Sequence, residues 1–196
     1  MAATESTMLA LGVQAPDFTL LNTNPNTGNE QVSLQDYDQA KALLVMFVCN
    51  HCPYVIHLRE ALVALTNDYV DQGLAVVAIS SNDAENYPQD NPEAMTIEAT
   101  SFDFPYAYLF DETQAVAKAY KAACTPDFYL FDGNQKLAYR GRFDGSRPKN
   151  DLPVTGEDMR AAVEQVLAGS QISADQIPSM GCNIKWIEGN APDYFG

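Results

Sequence analysis

A single α/β domain, with a central mixed β-sheet flanked by helices, is the fold this sequence predicts. Two apolar runs carry the prediction: Lys41 to Val48 (KALLVMFV) and Leu74 to Ser80 (LAVVAIS). Each is the unbroken kind expected of a strand buried on both faces. Between them Val55, Leu58, Leu62, Leu65 and Tyr69 recur at helical spacing, and Gly73 stops the helix. Strand, helix and strand together make a βαβ unit with a right-handed crossover.

The other elements follow in order. Ala15 to Leu21 reads as a lead-in segment and a short strand, and Asn22 to Asn29, rich in Asn, Pro and Gly, as a turn-forming loop. Val32 to Leu34 pairs back as a hairpin arm, giving an N-terminal β-hairpin extension. Asn82 to Asp103 is a polar loop insertion with a short helix over Glu93 to Ser101. Tyr106 to Phe110 is a strand, and Thr113 to Lys121 a helix capped by Thr113 or Asp111. Asp127 to Phe131 and Leu137 to Gly141 form two antiparallel strands around Asp132-Gly133-Asn134. Thr155 opens the last helix with Asp158 as a capping-box-like partner, Val163, Val166 and Leu167 face inward, and Gly169 ends it. Residues 10–169 make the domain, and 170–196 a tail without a strong period.

The chain has 196 residues, 46% of them hydrophobic, enough for a buried core. With 11 Lys+Arg against 26 Asp+Glu the net charge is −15, which repels phosphate backbones and anionic lipid. Nucleic acid and membrane are therefore excluded as partners. No apolar stretch is long enough to span a bilayer, and Met1 to Thr7 lacks the basic flank and apolar run of a secretory leader. The expectation is a soluble, cytoplasmic chain.

Four cysteines stand at 49, 52, 124 and 182, too few for a disulfide scaffold. The run Cys49-Asn50-His51-Cys52-Pro53 carries the chemistry. A helix starting near Cys49 has unpaired amides and a dipole that favour a thiolate there. Pro53 fits a first turn, where no amide bond is lost. Two cysteines at this spacing can close a disulfide, and His51, if protonated, favours a thiolate beside it. His57 reads as a surface or packed residue rather than a catalyst.

Ala15-Pro16-Asp17-Phe18, a buried strand, a cysteine motif and a strand after Thr125-Pro126 together resemble the thioredoxin-like superfamily. More narrowly, they resemble its peroxiredoxin-like AhpC/TSA and TlpA-like branch carrying Cys-x-x-Cys. The resemblance runs from about Gly12 to Ala168, and the tail run Gly181-Cys182-Asn183-Ile184-Lys185-Trp186 is similar to that subgroup too. It implies a thioredoxin-like fold and a cis peptide before Pro126, which lies against the active-site disulfide and, with Thr125, orients substrate. The chain departs from peroxiredoxins in two places. Cys49 stands where a Thr or Ser is expected, and Thr125-Pro126 stands near the place of the peroxide-activating arginine, which leaves Arg140 and Arg142 as substitutes. It departs from thioredoxin at Leu43, where a buried Asp is expected. Asn50-His51 is similar to the Pro-His of DsbA-type oxidants, which implies a more oxidising couple.

The expected activity is thiol–disulfide exchange, with Cys49 as the more exposed nucleophile, Cys52 resolving and His51 tuning the thiolate. One alternative is a thiol peroxidase with Cys52 as the peroxidatic cysteine. The other is a non-enzymatic module holding zinc through Cys49, Cys52, Cys182 and a histidine, against which stands the absence of a second paired knuckle. Cys124 reads as a third redox thiol or a buried filler, and Cys182 as a partner thiol on a mobile tail or an anchor packed with Trp186. No cofactor or metal is expected. The expected partners are a protein or small-molecule disulfide or thiol substrate and an electron donor of unknown identity. The chain is expected to be a monomer or homodimer.

Overall fold

A computed structural model describes residues 3–195. Met1 and Ala2 of the leader reading and Gly196 of the tail lie outside the described residues. The strands are β1 (Ala3–Glu5), β2 (Thr19–Asn22), β3 (Gln31–Ser33), β4 (Ala42–Phe47), β5 (Leu74–Ser80), β6 (Ala107–Phe110), β7 (Cys124–Thr125), β8 (Asp127–Asp132), β9 (Leu137–Tyr139) and β10 (Met180–Asn183). The helices are α1 (Pro53–Tyr69), α2 (Pro92–Ser101), α3 (Ala115–Ala119) and α4 (Glu157–Leu167).

Seven strands form one mixed sheet in the order β3-β2-β6-β5-β4-β8-β9. β4, β5 and β6 run parallel, and the other pairs are antiparallel. The predicted βαβ unit is β4-α1-β5, and the predicted hairpin is β2-β3 at the sheet edge.

The apolar runs are continuous because β4 is covered twice. Strand alternation sends Leu44 and Met46 into the core beneath α1 and α4, with Leu58, Leu62, Leu65, Met159 and Val163. It sends Leu43, Val45 and Phe47 into a second core with Tyr120, Tyr129 and Phe131. Leu43 thus packs in apolar surroundings.

α1 starts later than its sequence suggests. Cys52, extended at φ −70° and ψ 121°, is its N-cap and Pro53 its first residue. The helix therefore opens after the second cysteine, not near Cys49. α2 starts after Asn91, whose side chain accepts from the Ala94 amide at 2.8 Å. α4 lacks the expected capping box. Gly156, at φ +67°, is its N-cap, the Asp144 carboxylate takes the Thr155 and Gly156 amides, and Asp158 pairs with Arg142 instead.

The tail corrects the sequence reading most. Although 170–196 has no period, it carries β10, the middle strand of a second sheet, β1-β10-β7. Gly181 permits this: a Cβ there would lie 1.9 Å from the Thr125 carbonyl oxygen. Among the described residues no helix is long and apolar enough to cross a membrane.

Candidate active site

The loop between β4 and α1 brings Cys49 and Cys52 against one residue, Thr125. The Cys49 sulfur lies 3.5 Å from the Thr125 hydroxyl, and the Cys52 sulfur 3.0 Å from its carbonyl oxygen. The Thr125-Pro126 peptide is cis, as the resemblance implied. Neither sulfur is exposed: Cys49 is 2% and Cys52 0% accessible, so the expected difference in exposure between them is small.

Four predicted site residues, Cys49, Cys52, Thr125 and Pro126, therefore meet. His51 joins them through a residue the sequence reading missed. Asp90, in the polar loop before α2, is fully buried, and its carboxylate receives His51 Nδ1 at 2.6 Å. It also receives the Asn50 amide at 2.9 Å and the Asn82 side-chain amide at 2.8 Å. Tyr108 donates its hydroxyl to the Asn50 side chain at 2.9 Å. The Tyr87 ring stacks on His51, 5.7 Å between centroids and 7° from parallel. Since a carboxylate only accepts, His51 Nδ1 carries the hydrogen and Nε2 is the free ring position.

The two thiols diverge in acidity. Cys52 is lowered to about 5, first by the hydrogen bond it receives from Cys49, against burial, then by Cys182, Thr125 and the Val55 amide at the helix start. In the fully protonated pair the Cys52 thiol donates to the Thr125 carbonyl; once a proton is lost, the charge settles on Cys52. Cys49 is raised well above the usual thiol range by its hydrogen bond to Cys52, by burial and by the Asp90 carboxylate. The helix terminus thus serves Cys52, whereas the sequence reading assigned that help to Cys49.

The remaining predicted residues separate. Cys182 on β10 pairs with Thr125 and lies next to Cys52, so it is not on a loose tail. Trp186 packs away from it, with Tyr194 and Phe195. Cys124 is fully buried with its sulfur 3.5 Å from the Pro126 carbonyl oxygen, and burial pushes its thiol well up. His57 bonds Ser146 at 3.1 Å. Arg140 bonds the Leu9 carbonyl at 2.7 Å and the Gln176 side chain at 2.9 Å, and Arg142 bonds Asp158 at 2.6 Å. Among the described residues neither arginine bonds a cysteine, so the arrangement does not favour the peroxidase alternative. Among the described residues, the group able to hold a metal ion is Cys49, His51 and Asp90, with ligand atoms within 4.8 Å of one another. It enlists Asp90 rather than the Cys52 and Cys182 of the zinc set expected from the sequence.

Comparison with known proteins gives the family and the fold. The AhpC/TSA family model matches residues 11–140. The chain belongs to the AhpC/TSA family. This AhpC/TSA chain is similar to a structure of an uncharacterized conserved protein from Geobacillus kaustophilus, at 52% identity and TM-score 0.92, covering 95% of this chain and 97% of that one. It is similar to a hypothetical protein from Sinorhizobium meliloti 1021, at 47% identity and TM-score 0.91, covering 95% and 100%. The thioredoxin domain of a thiol-disulfide oxidoreductase from Bacteroides vulgatus shares the fold at 22% identity and TM-score 0.61, covering 81% and 99%. The fold is therefore thioredoxin-like. No curated protein matches the chain.

Proposed function

We propose that this AhpC/TSA chain is a thiol–disulfide oxidoreductase whose redox couple is Cys49 and Cys52. The observation that carries the reading is that Thr125, next to a cis-proline, touches both sulfurs at the N-terminus of α1. A charge-stabilising helix end beside two adjacent thiols is an environment suited to thiol exchange.

In the proposed cycle Cys49 passes its proton to Cys52, and the resulting Cys49 thiolate attacks one sulfur of a substrate disulfide. The substrate S–S bond breaks. One half leaves with a proton, and the other stays bonded to Cys49. Cys52 then gives up its proton, attacks the Cys49 sulfur, and the second half leaves. Cys49 and Cys52 end oxidised by two electrons, and the substrate is reduced by the same two. His51, held through Nδ1 by Asp90, has Nε2 free to carry protons to and from the leaving sulfurs.

Mixing the reduced protein with a small aromatic disulfide under single-turnover conditions tests this. The wild type is expected to release both product thiols rapidly while forming a Cys49–Cys52 disulfide, and Cys49→Ser to slow that release strongly. Unchanged turnover in Cys49→Ser would overturn the reading.

A further inference from the structure

We infer that Cys182 is a third redox thiol, which takes the disulfide over from Cys49 by attacking Cys52. The inference rests on the proposed Cys49–Cys52 couple and extends it.

Three observations converge on Cys182. First, it is directly opposite Thr125 in the β7-β10 register, and Thr125 is the residue both active-site sulfurs touch. Second, Cys182 shares one buried cluster with Cys49 and Cys52 and is only 4% exposed. Third, β10 is fixed there. Gly181 lets its backbone reach the Thr125-Pro126 bond, and the Ser179 hydroxyl donates to the Pro126 carbonyl at 2.8 Å. The Ile184 amide reaches the Ala123 carbonyl at 3.1 Å, and β1 flanks the outer edge. The strand edge beside the dithiol, which an extended peptide would otherwise pair with, is occupied by the chain's own cysteine-bearing strand.

A thiol tethered in the same buried cluster competes strongly with any thiol in solution, because its encounter with Cys52 costs no further translational freedom. In the exchange, the Cys182 sulfur bonds to Cys52 as the Cys49–Cys52 bond breaks. The proton of Cys182 goes to Cys49, which leaves as a thiol. One S–S bond replaces another, so the step needs no oxidant or reductant. Its product is a Cys52–Cys182 disulfide with Cys49 free for another attack.

Disulfide mapping by mass spectrometry tests the step, on protein oxidised with diamide, quenched in acid and alkylated after unfolding. In the wild type we expect a population with Cys52 linked to Cys182 and Cys49 alkylated. Cys49→Ser should give the Cys52–Cys182 link alone. Cys182→Ser should lose that link and keep Cys49–Cys52, while Cys124→Ser should keep both. Absence of the Cys52–Cys182 link from the wild type overturns the relay, whatever Cys49→Ser forms. If Cys182→Ser still forms Cys49–Cys52 in that case, the relay alone has failed; if no Cys49–Cys52 link forms in any variant, the dithiol reading has failed with it.

Discussion

The Nδ1 of His51 lies 2.6 Å from the carboxylate of Asp90, a side chain with no exposed surface. That carboxylate also holds the Asn50 amide, so one buried acid shapes the two residues between the cysteines. Asn82 extends the connection: its amide donates to Asp90, and its carbonyl accepts from the Lys185 amide just past β10. The polar loop, the cysteine loop and the C-terminal strand are thereby locked together.

Asp90→Asn keeps an acceptor of the same shape but removes the charge that fixes the His51 hydrogen on Nδ1. Asp90 acts through His51, so the expected result is a slower disulfide exchange, by roughly tenfold or more, with a changed pH profile and an intact fold. Asp90→Ala also strands the Asn50 and Asn82 donors and should cost about 1–3 kcal/mol for each one left unpaired. Single-turnover rates across pH and denaturant melts separate the two effects. An Asp90→Asn pH profile identical to wild type would remove Asp90 from the proton path.

Cys52 should titrate far below an ordinary thiol. Its sulfur is lowered to about 5 by the Cys49 hydrogen bond and the other donors around it. Ultraviolet thiolate absorbance of the reduced protein should therefore rise through a step near pH 5, a step missing in Cys52→Ser and kept in Cys124→Ser. Cys49→Ser removes the largest of those donors unless the serine hydroxyl replaces it, so its step should move to higher pH. A step that survives in Cys52→Ser would transfer the charge to another thiol.

The sheet and the placing of Cys49 and Cys52 before α1 were legible because their signals are local. An unbroken run such as LAVVAIS reads as a doubly covered strand, and β5 spans the same seven residues, Leu74–Ser80. A cysteine pair followed by proline reads as a helix start, although the cap turned out to be Cys52. Asp90 and β10 were hidden because their roles are set across the chain. Asp90 sits in a polar, proline-containing loop where an acid normally faces water, and its burial depends on Asn50, His51 and Asn82 arriving from elsewhere. β10 is four residues, Met-Gly-Cys-Asn, with no apolar alternation, and its pairing depends on a missing side chain at Gly181. The expected α4 capping box failed for a related reason: Asp158 found Arg142, and the distant Asp144 took the amides.

Asp127 follows the cis-proline and is fully buried. Burial raises its carboxyl to about 6, against hydrogen bonds from Ser6, the Ala123 amide and Tyr129. A raised carboxyl pKa means that the folded state holds its proton more tightly than the unfolded one. The stability this contributes is fully present below the usual 3.8 and is lost as pH rises through about 6. Asp127→Asn keeps an acceptor for Tyr129 and the Ala123 amide without the buried charge. It should therefore gain stability over wild type at pH 7, by on the order of 3 kcal/mol at most, and lose the advantage near pH 4. Urea melts at the two pH values check this, and an equal difference at both would show that the charge is not what matters.

Gly181 is the position on which the second sheet depends. A Cβ there would stand 1.9 Å from the Thr125 carbonyl oxygen and 2.5 Å from its carbon, both backbone atoms that cannot rotate aside. Gly181→Ala must therefore push β10 away from β7 or move the Thr125-Pro126 segment. Overpacking of this kind costs about 1–3 kcal/mol, with more where backbone has to shift. The strand is only four residues long, so detachment should precede global unfolding. The expected readout is rapid hydrogen exchange at the Ile184 amide, which in the native fold is bonded to the Ala123 carbonyl. Amides in the centre of β4 should keep their protection. Because β10 carries Cys182, the same substitution should also suppress the Cys52–Cys182 link while leaving Cys49 and Cys52 able to pair. Retained protection at Ile184 in Gly181→Ala would mean that the Thr125 segment, rather than β10, gives way.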